Sequence, residues 1–160
     1  MSISRLIGLG LLLVLPSLAF AQQTAFGSGQ VDPDQPVEVE SDELKVSETD
    51  GTAEFLGNVV IVQGDMRLAA PRVLVVYDEE GERIRRLEAT GGVTLVSGED
   101  AAEAQRADYD IDGGQGVMSG DVLLVQGKST LESQRMVVDL NGGTAQMEGR
   151  VRTILNRTKD

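Results

Sequence analysis

One short unit recurs along this chain. Gly57-Asn58-Val59-Val60-Ile61-Val62-Gln63-Gly64 returns as Gly120-Asp121-Val122-Leu123-Leu124-Val125-Gln126-Gly127, with its apolar pattern kept. Looser copies begin at Gly91-Gly92-Val93 and at Gly149-Arg150-Val151, so the leading glycines lie 34, 29 and 29 residues apart. A second marker keeps the same rhythm: Ala70-Pro71-Arg72-Val73, Ala104-Gln105-Arg106-Ala107 and Ser133-Gln134-Arg135-Met136. Glu43 stands 29 residues before Arg72, in a divergent first copy, Ser41-Asp42-Glu43-Leu44. A fixed period of this length requires one small supersecondary unit used several times, each copy burying its apolar face against the next.

Alternation inside the unit gives its type. Phe55, Val59 and Ile61 share one parity, and a period of two places them on one face of a strand. At the same offsets from the other glycines stand Ala89, Val93 and Leu95, then Met118, Val122 and Leu124, then Met147, Val151 and Thr153. Asn58, Asp121 and Arg150 take the opposite parity, so the first set is the inner face. Counting one, three and five residues past each arginine gives Val73/Val75/Tyr77, Ala107/Tyr109/Ile111 and Met136/Val138/Leu140 as a second inner set. Gly-rich breaks at 78–81, 112–114 and 141–143 mark turns. Val37-Glu38-Val39-Glu40 is a first strand entered through Pro36, as an edge position permits. Beyond the N-terminal segment no run has helical apolar spacing. The expected fold is all-β: repeated antiparallel strands that must stack or fold over to cover one apolar face. The inner set is almost wholly aliphatic. Periodicity alone favours a filled sandwich core over an open apolar slot.

Arg5, the apolar run Leu6 to Leu15 and Ala19-Phe20-Ala21 read as a secretory signal peptide cut after residue 21. The expected organisation is a signal at 1–21, a flexible leader at 22–35, a β domain at 36–155 and a short tail at 156–160. The 139 residues after the signal hold 26 acidic and 13 basic side chains, a formal charge of −13. Such a surface repels nucleic-acid phosphates, so no nucleic-acid partner is expected. Histidine and cysteine are absent. That removes Ser-His and Cys-His nucleophile systems and His/Cys zinc sites, and no cofactor, metal or disulfide is expected. A carboxylate-only glycosidase stays formally open. Its candidate carboxylates, Glu79/Glu80/Glu82 and Glu99/Asp100/Glu103, fall in predicted turns with nothing apolar beside them to raise a pKa. Asp110-Ile111-Asp112-Gly113 starts like a calcium loop but has Gln115 where that loop needs glycine.

Asp34-Gln35-Pro36-Val37-Glu38-Val39-Glu40-Ser41-Asp42 resembles the opening of the LptA/OstA-like periplasmic proteins of lipopolysaccharide transport. The stretch from Phe55 to Gly64 is similar to their most characteristic strand, and Ala104 to Asp110 and Arg150 to Leu155 resemble later ones. The resemblance runs from about Asp34 to Leu155. It implies a V-shaped, β-jelly-roll-like trough that is not an enzyme. In the periplasm such a trough carries the lipid A part of lipopolysaccharide from an inner-membrane anchored Lpt component to an outer-membrane translocon. Family lipid contacts carry over to Val37, Leu95, Tyr109 and Ile111. With the inner face these make a candidate ligand set of Val37, Val39, Phe55, Val59, Ile61, Leu95, Tyr109, Ile111, Met118 and Leu124. The candidate partner edges are Val37, Glu38, Val39 and Glu40 at one end and Val151, Arg152, Thr153 and Ile154 at the other, joined by head-to-tail self-association. The alternative is a structural β module that assembles envelope complexes without holding lipid.

Overall fold

The computed structural model describes residues 23–27 and 35–156. The signal segment, most of the leader and residues 157–160 lie outside the described residues. Within them the chain is all strand and turn: β1 (Gln23–Ala25), β2 (Glu38–Glu40), β3 (Glu43–Ser47), β4 (Thr52–Gln63), β5 (Met66–Tyr77), β6 (Ile84–Ser97), β7 (Asp100–Asp110), β8 (Gln115–Gln126), β9 (Ser129–Asp139), β10 (Thr144–Glu148) and β11 (Arg152–Leu155). All pairings are antiparallel, and from β4 to β10 each strand lies beside its neighbours in sequence. Where Gln23–Ala25 were expected in a flexible leader, they form a strand on β10.

Both sequence markers turn out to be halves of one feature, a crease across every long strand. Gly57-Asn58, Gly91-Gly92, Gly120-Asp121 and Gly149-Arg150 all have positive φ in both residues. Opposite three of the pairs lie Pro71, Gln105 and Gln134 of the arginine marker, and opposite Gly57 lies Asp42 of the divergent copy. At the creases the register slips: Leu56 pairs Arg72 while Val59 pairs Ala70, three steps against two. That is a β-bulge, which bends a strand and raises its twist. The bulges recur in β4, β6 and β8 at the glycines. Asn58 Nδ2 donates to Asp42 Oδ2 at 2.8 Å, and Gln105 Nε2 donates to Asp121 Oδ2 at 2.9 Å, tying crease to crease.

The creases divide the sheet into two walls. Wall 1 contains β2, the stretch from Val59 through β5 to Ala70, the matching tips of β6 to β9, and β11. Wall 2 contains β3, the other halves of the long strands, and β10. Thus β2 with β3, and β10 with β11, are single strands broken at a crease. Buried side chains from both walls form one cluster, among them Val59, Ile61, Val93, Leu95, Val122 and Leu124 from wall 1 and Val73, Ala89, Met118, Met136 and Val138 from wall 2. At about 25 cal/mol per Å2 of apolar surface, that interior is the chief source of stability.

One sequence expectation fails at the last copy. Val151 and Thr153, aligned with inner positions, are exposed. β11 is an edge strand of four exposed residues. Among the described residues it pairs only with β9, so it lies at the open margin of wall 1.

Candidate functional site

The space between the walls is filled in one half and open in the other. Leu124 and Met136 are fully buried and Val122 nearly so, and none of them lines open space. Between β2 and β4 to β6 of wall 1 and β5 to β9 of wall 2 lies a cavity of about 80 Å3 that continues into an open mouth. The enclosed part has room for several water-sized groups. Its lining is almost wholly apolar: Ile61, Met66, Leu68 and Leu95 from wall 1 face Val73, Leu87, Tyr109, Met118 and Leu140 from wall 2. Val37 and Ile111 stand at its rim, 51% and 37% exposed. Such half-covered aliphatic side chains remain exposed unless something apolar joins them.

Six of the ten candidate ligand residues line this cavity: Val37, Ile61, Leu95, Tyr109, Ile111 and Met118. Val59 and Leu124 are sealed in the packed core instead, and Val39 and Phe55 pack against it from partly buried positions. Lining residues that the alternation missed include Met66, Leu68, Leu87 and Val117. Met66 and Leu68 were hidden because the odd strands change parity at the arginine marker. Ala70 and Val73 are both buried although three residues apart, as are Ser133 and Met136. Ala104 and the part-buried Ala107 repeat the spacing. That three-residue interval recurs in the sequence and was the available signal.

The candidate edge residues fall at the two ends of the sheet. Glu38, Val39 and Glu40 form β2, which among the described residues pairs only with β4, and Val37 precedes it. Arg152, Thr153 and Ile154 lie in β11, which likewise pairs only with β9, and Val151 precedes it. Among the described residues, both edges therefore keep one unpaired row of backbone groups.

Polar groups gather on the outside. Each marker arginine sits just past its crease on wall 2, beside carboxylates. Arg72 pairs with Glu54 and Arg135 with Glu148, while Arg106 lies 2.5 Å from Asp108 and 3.2 Å from Glu88. The Asp108 hydrogen bond holds the Arg106 guanidinium still more firmly protonated. These pairs are partly solvated, and each contributes about 0–1 kcal/mol. Inside, burial holds the proton of Tyr109: loss of solvent pushes its phenol pKa up, and the Asp110 charge adds to this. In the Asp78 turn burial opposes ionisation, but N–H groups of Glu82 and Arg83 and the Arg83 charge outweigh it, so that carboxyl titrates lower than usual. The neighbouring Glu79, Glu80 and Glu82 are exposed. Among the described residues no group of carboxylates is arranged to hold a metal ion.

A creased sheet with two walls around an apolar slot defines the class: an open β-trough. A sequence profile of the "LptA/(LptD N-terminal domain) LPS transport protein" family matches residues 38–144, and the chain belongs to that family. An uncharacterized protein of Rhizobium meliloti (strain 1021), R00383, is 35% identical over 107 residues, which are 61% of this chain and 57% of that protein. The match thus spans a little over half of that relative's length. The crystal structure of LptH from Pseudomonas aeruginosa, described as the LptA homologous periplasmic component of the lipopolysaccharide transport device, superposes with a TM-score of 0.70. It does so at 17% identity over 79% of this chain and 99% of LptH, which shows a shared fold.

Proposed function

We propose that this protein is a non-enzymatic carrier of lipopolysaccharide transport that works in the periplasm. It holds acyl chains of lipid A between its walls and passes them along a head-to-tail bridge. The observation that carries this reading is the cavity lined by Leu95, Tyr109 and Leu140, apolar within and open at its mouth. Each methylene taken from water is worth about 0.8 kcal/mol, so six inserted methylenes contribute on the order of 5 kcal/mol before the costs of association. The enclosed volume suits part of an acyl chain, with the rest lying along the mouth and the sugars in water. The β2/β3 edge, which among the described residues has no strand beyond it, is assigned to the inner-membrane anchored component. The β11 edge is assigned to the next copy or the outer-membrane translocon. Both joints use strand addition.

The test is a photo-crosslinking amino acid at Leu95 or Tyr109 in cells that make lipopolysaccharide. Lipid adducts are expected at both positions and not at an outward control such as Thr94. Adducts at neither position would sink the carrier reading. One observation favours the alternative of a structural module without cargo: the C-terminal half of the interior is closed by its own side chains, Leu124 and Met136 among them. On that reading Leu95→Asp acts only by unfolding the protein, and an apolar dye finds no site.

A further inference from the structure

The short N-terminal strand occupies a place that the topology reserves for something else. Joined across their creases, β2/β3, β4 to β9 and β10/β11 make eight strands that alternate in direction. An even number leaves the first and last antiparallel. The first runs from wall 1 to wall 2 and the last runs back from wall 2 to wall 1. A second copy continuing the same two walls therefore lays its β2 against β11 and its β3 against β10, both antiparallel. The β11 edge is open among the described residues, but the β10 edge is taken. β1 pairs with it antiparallel, Gln23 to Gln146, Thr24 to Ala145 and Ala25 to Thr144.

Immediately after β1 the chain crosses the mouth of the trough. Phe26 N–H donates to the Gly143 carbonyl of wall 2 at 3.0 Å, and its ring is buried to 2% within the shared core. Gly27 N–H then reaches Asp100 Oδ2 of wall 1 at 2.8 Å. Gln126 Nε2 donates to the same carboxylate oxygen at 3.0 Å and also to the Ala25 carbonyl. Gly27 has φ +80, and a Cβ there would collide with the buried Ser97 side chain. The segment is a fitted strap from wall to wall.

We infer that Gln23–Gly27 is a self-strand that stands in for β3 of a second copy, and that it must leave β10 before wall 2 of a head-to-tail joint can form. This rests on the bridge reading above and supplies its control. The lengths support the exchange. β1 covers three residues of β10, leaving Met147 and Glu148 next to the crease uncovered by β1 on that side. β3 has five residues, as many as β10 itself. An incoming β3 can pair first on those two rungs, which among the described residues have no partner on that side, and then displace β1 rung by rung. At the crease and on wall 1 charge favours the same partner: Glu38, Glu40 and Asp42 lie on or just after the entering β2, and Arg150 and Arg152, the latter 3.6 Å from Glu132, lie before and in the receiving β11. Withdrawal of the strap also lifts Phe26 from the shared core, so joining a second copy and removing one side chain from between the walls become one event.

The test locks and loosens the strap in the full chain. The protein has no cysteine, so Ala25→Cys with Thr144→Cys gives a single pair. The two positions are directly opposite in the ladder. Antiparallel partners of this kind lie about 4.5–5.5 Å apart at Cα, within disulfide range. Sedimentation velocity is run on one preparation, oxidised and then reduced. The oxidised form is expected to stay monomeric to at least tenfold higher concentration than the reduced form. Gly27→Val, which cannot seat against Ser97, is expected to self-associate at lower concentration than the unaltered protein. Equal behaviour of oxidised and reduced samples would overturn the inference, as would no self-association in any form, Gly27→Val included. A fluorescent hexadecanoate titrated into the same samples reads the cavity independently. Its failure to bind any form counts against the carrier reading while leaving the sedimentation result to decide the strap.

Discussion

At the crease a single methyl group decides whether the chain can bend. Gly120 has φ +83, and a Cβ there would sit 2.8 Å from Gln105 Oε1 and 2.9 Å from Gln105 Cβ. Gly127, in the turn after β8, has φ +56 and nothing within 4 Å. Gly127→Ala meets only the left-handed backbone penalty, about 1 kcal/mol. Gly120→Ala adds the collision and disturbs the Gln105–Asp121 hydrogen bond, for about 2–4 kcal/mol in all. Urea midpoints of the two variants check this; equal losses would refute the crease as the seat of the constraint. Tyr109 sets a different residue-scale expectation. Its folded-state pKa lies above the unfolded value of about 10, burial first and Asp110 second. The contribution it makes is therefore intact below pH 10 and is lost as pH rises through the folded pKa. Tyr109→Phe is expected to flatten the fall in stability between pH 9.5 and 11.5, as followed by denaturant titrations at each pH. An unchanged slope would mean that the phenol is not held in the apolar slot.

At the scale of the strand, alternation worked wherever it was not interrupted. Phe55, Val59 and Ile61 keep one face through Gly57-Asn58 because the bulge inserts a residue there while both glycine-marker positions turn. The sequence also showed the arginine marker, and the residues after it do point inward. Its meaning was out of reach, because a hydrogen-bond register belongs to two strands at once and one strand's pattern cannot display it. The change of parity at Pro71, Gln105 and Gln134 therefore hid Met66 and Leu68, two of the wall 1 residues that line the cavity. Likewise the split between packed and open halves was not legible. Leu95 and Leu124 occupy equivalent places in their repeats, yet one lines the cavity and the other is sealed. That difference depends on what stands across the trough, which one strand's pattern cannot display. Polar composition made 22–35 read as a leader, and the strand within it is set by the free edge of β10, a tertiary cause.

Across the whole molecule, the backbone of each described strand comes close only to the strands it pairs with, while other strands meet it through side chains, as Gln126 of β8 does the Ala25 carbonyl of β1. Folding free energy is then close to a sum over units and their nearest-neighbour contacts, as in repeat proteins. The two walls meet through side chains alone, which explains how the slot can stand open without unmaking the sheet. It also makes the molecule a measuring rod. Strands are spaced about 4.8 Å apart, so one more hairpin lengthens the trough by roughly 10 Å and leaves its cross-section unaltered. Residues 91–119 add two strands' worth in the same way, running from one crease glycine through the rest of β6, all of β7 and the first part of β8 to the residue before the next crease glycine. A tandem copy of that segment is expected to fold and to extend the maximum dimension by about 10 Å in small-angle scattering. Aggregation, or growth in width instead of length, would show that the creases do not set the geometry. Size in this architecture is counted in glycines, and the length of the trough becomes a property that genetic duplication can change in whole steps.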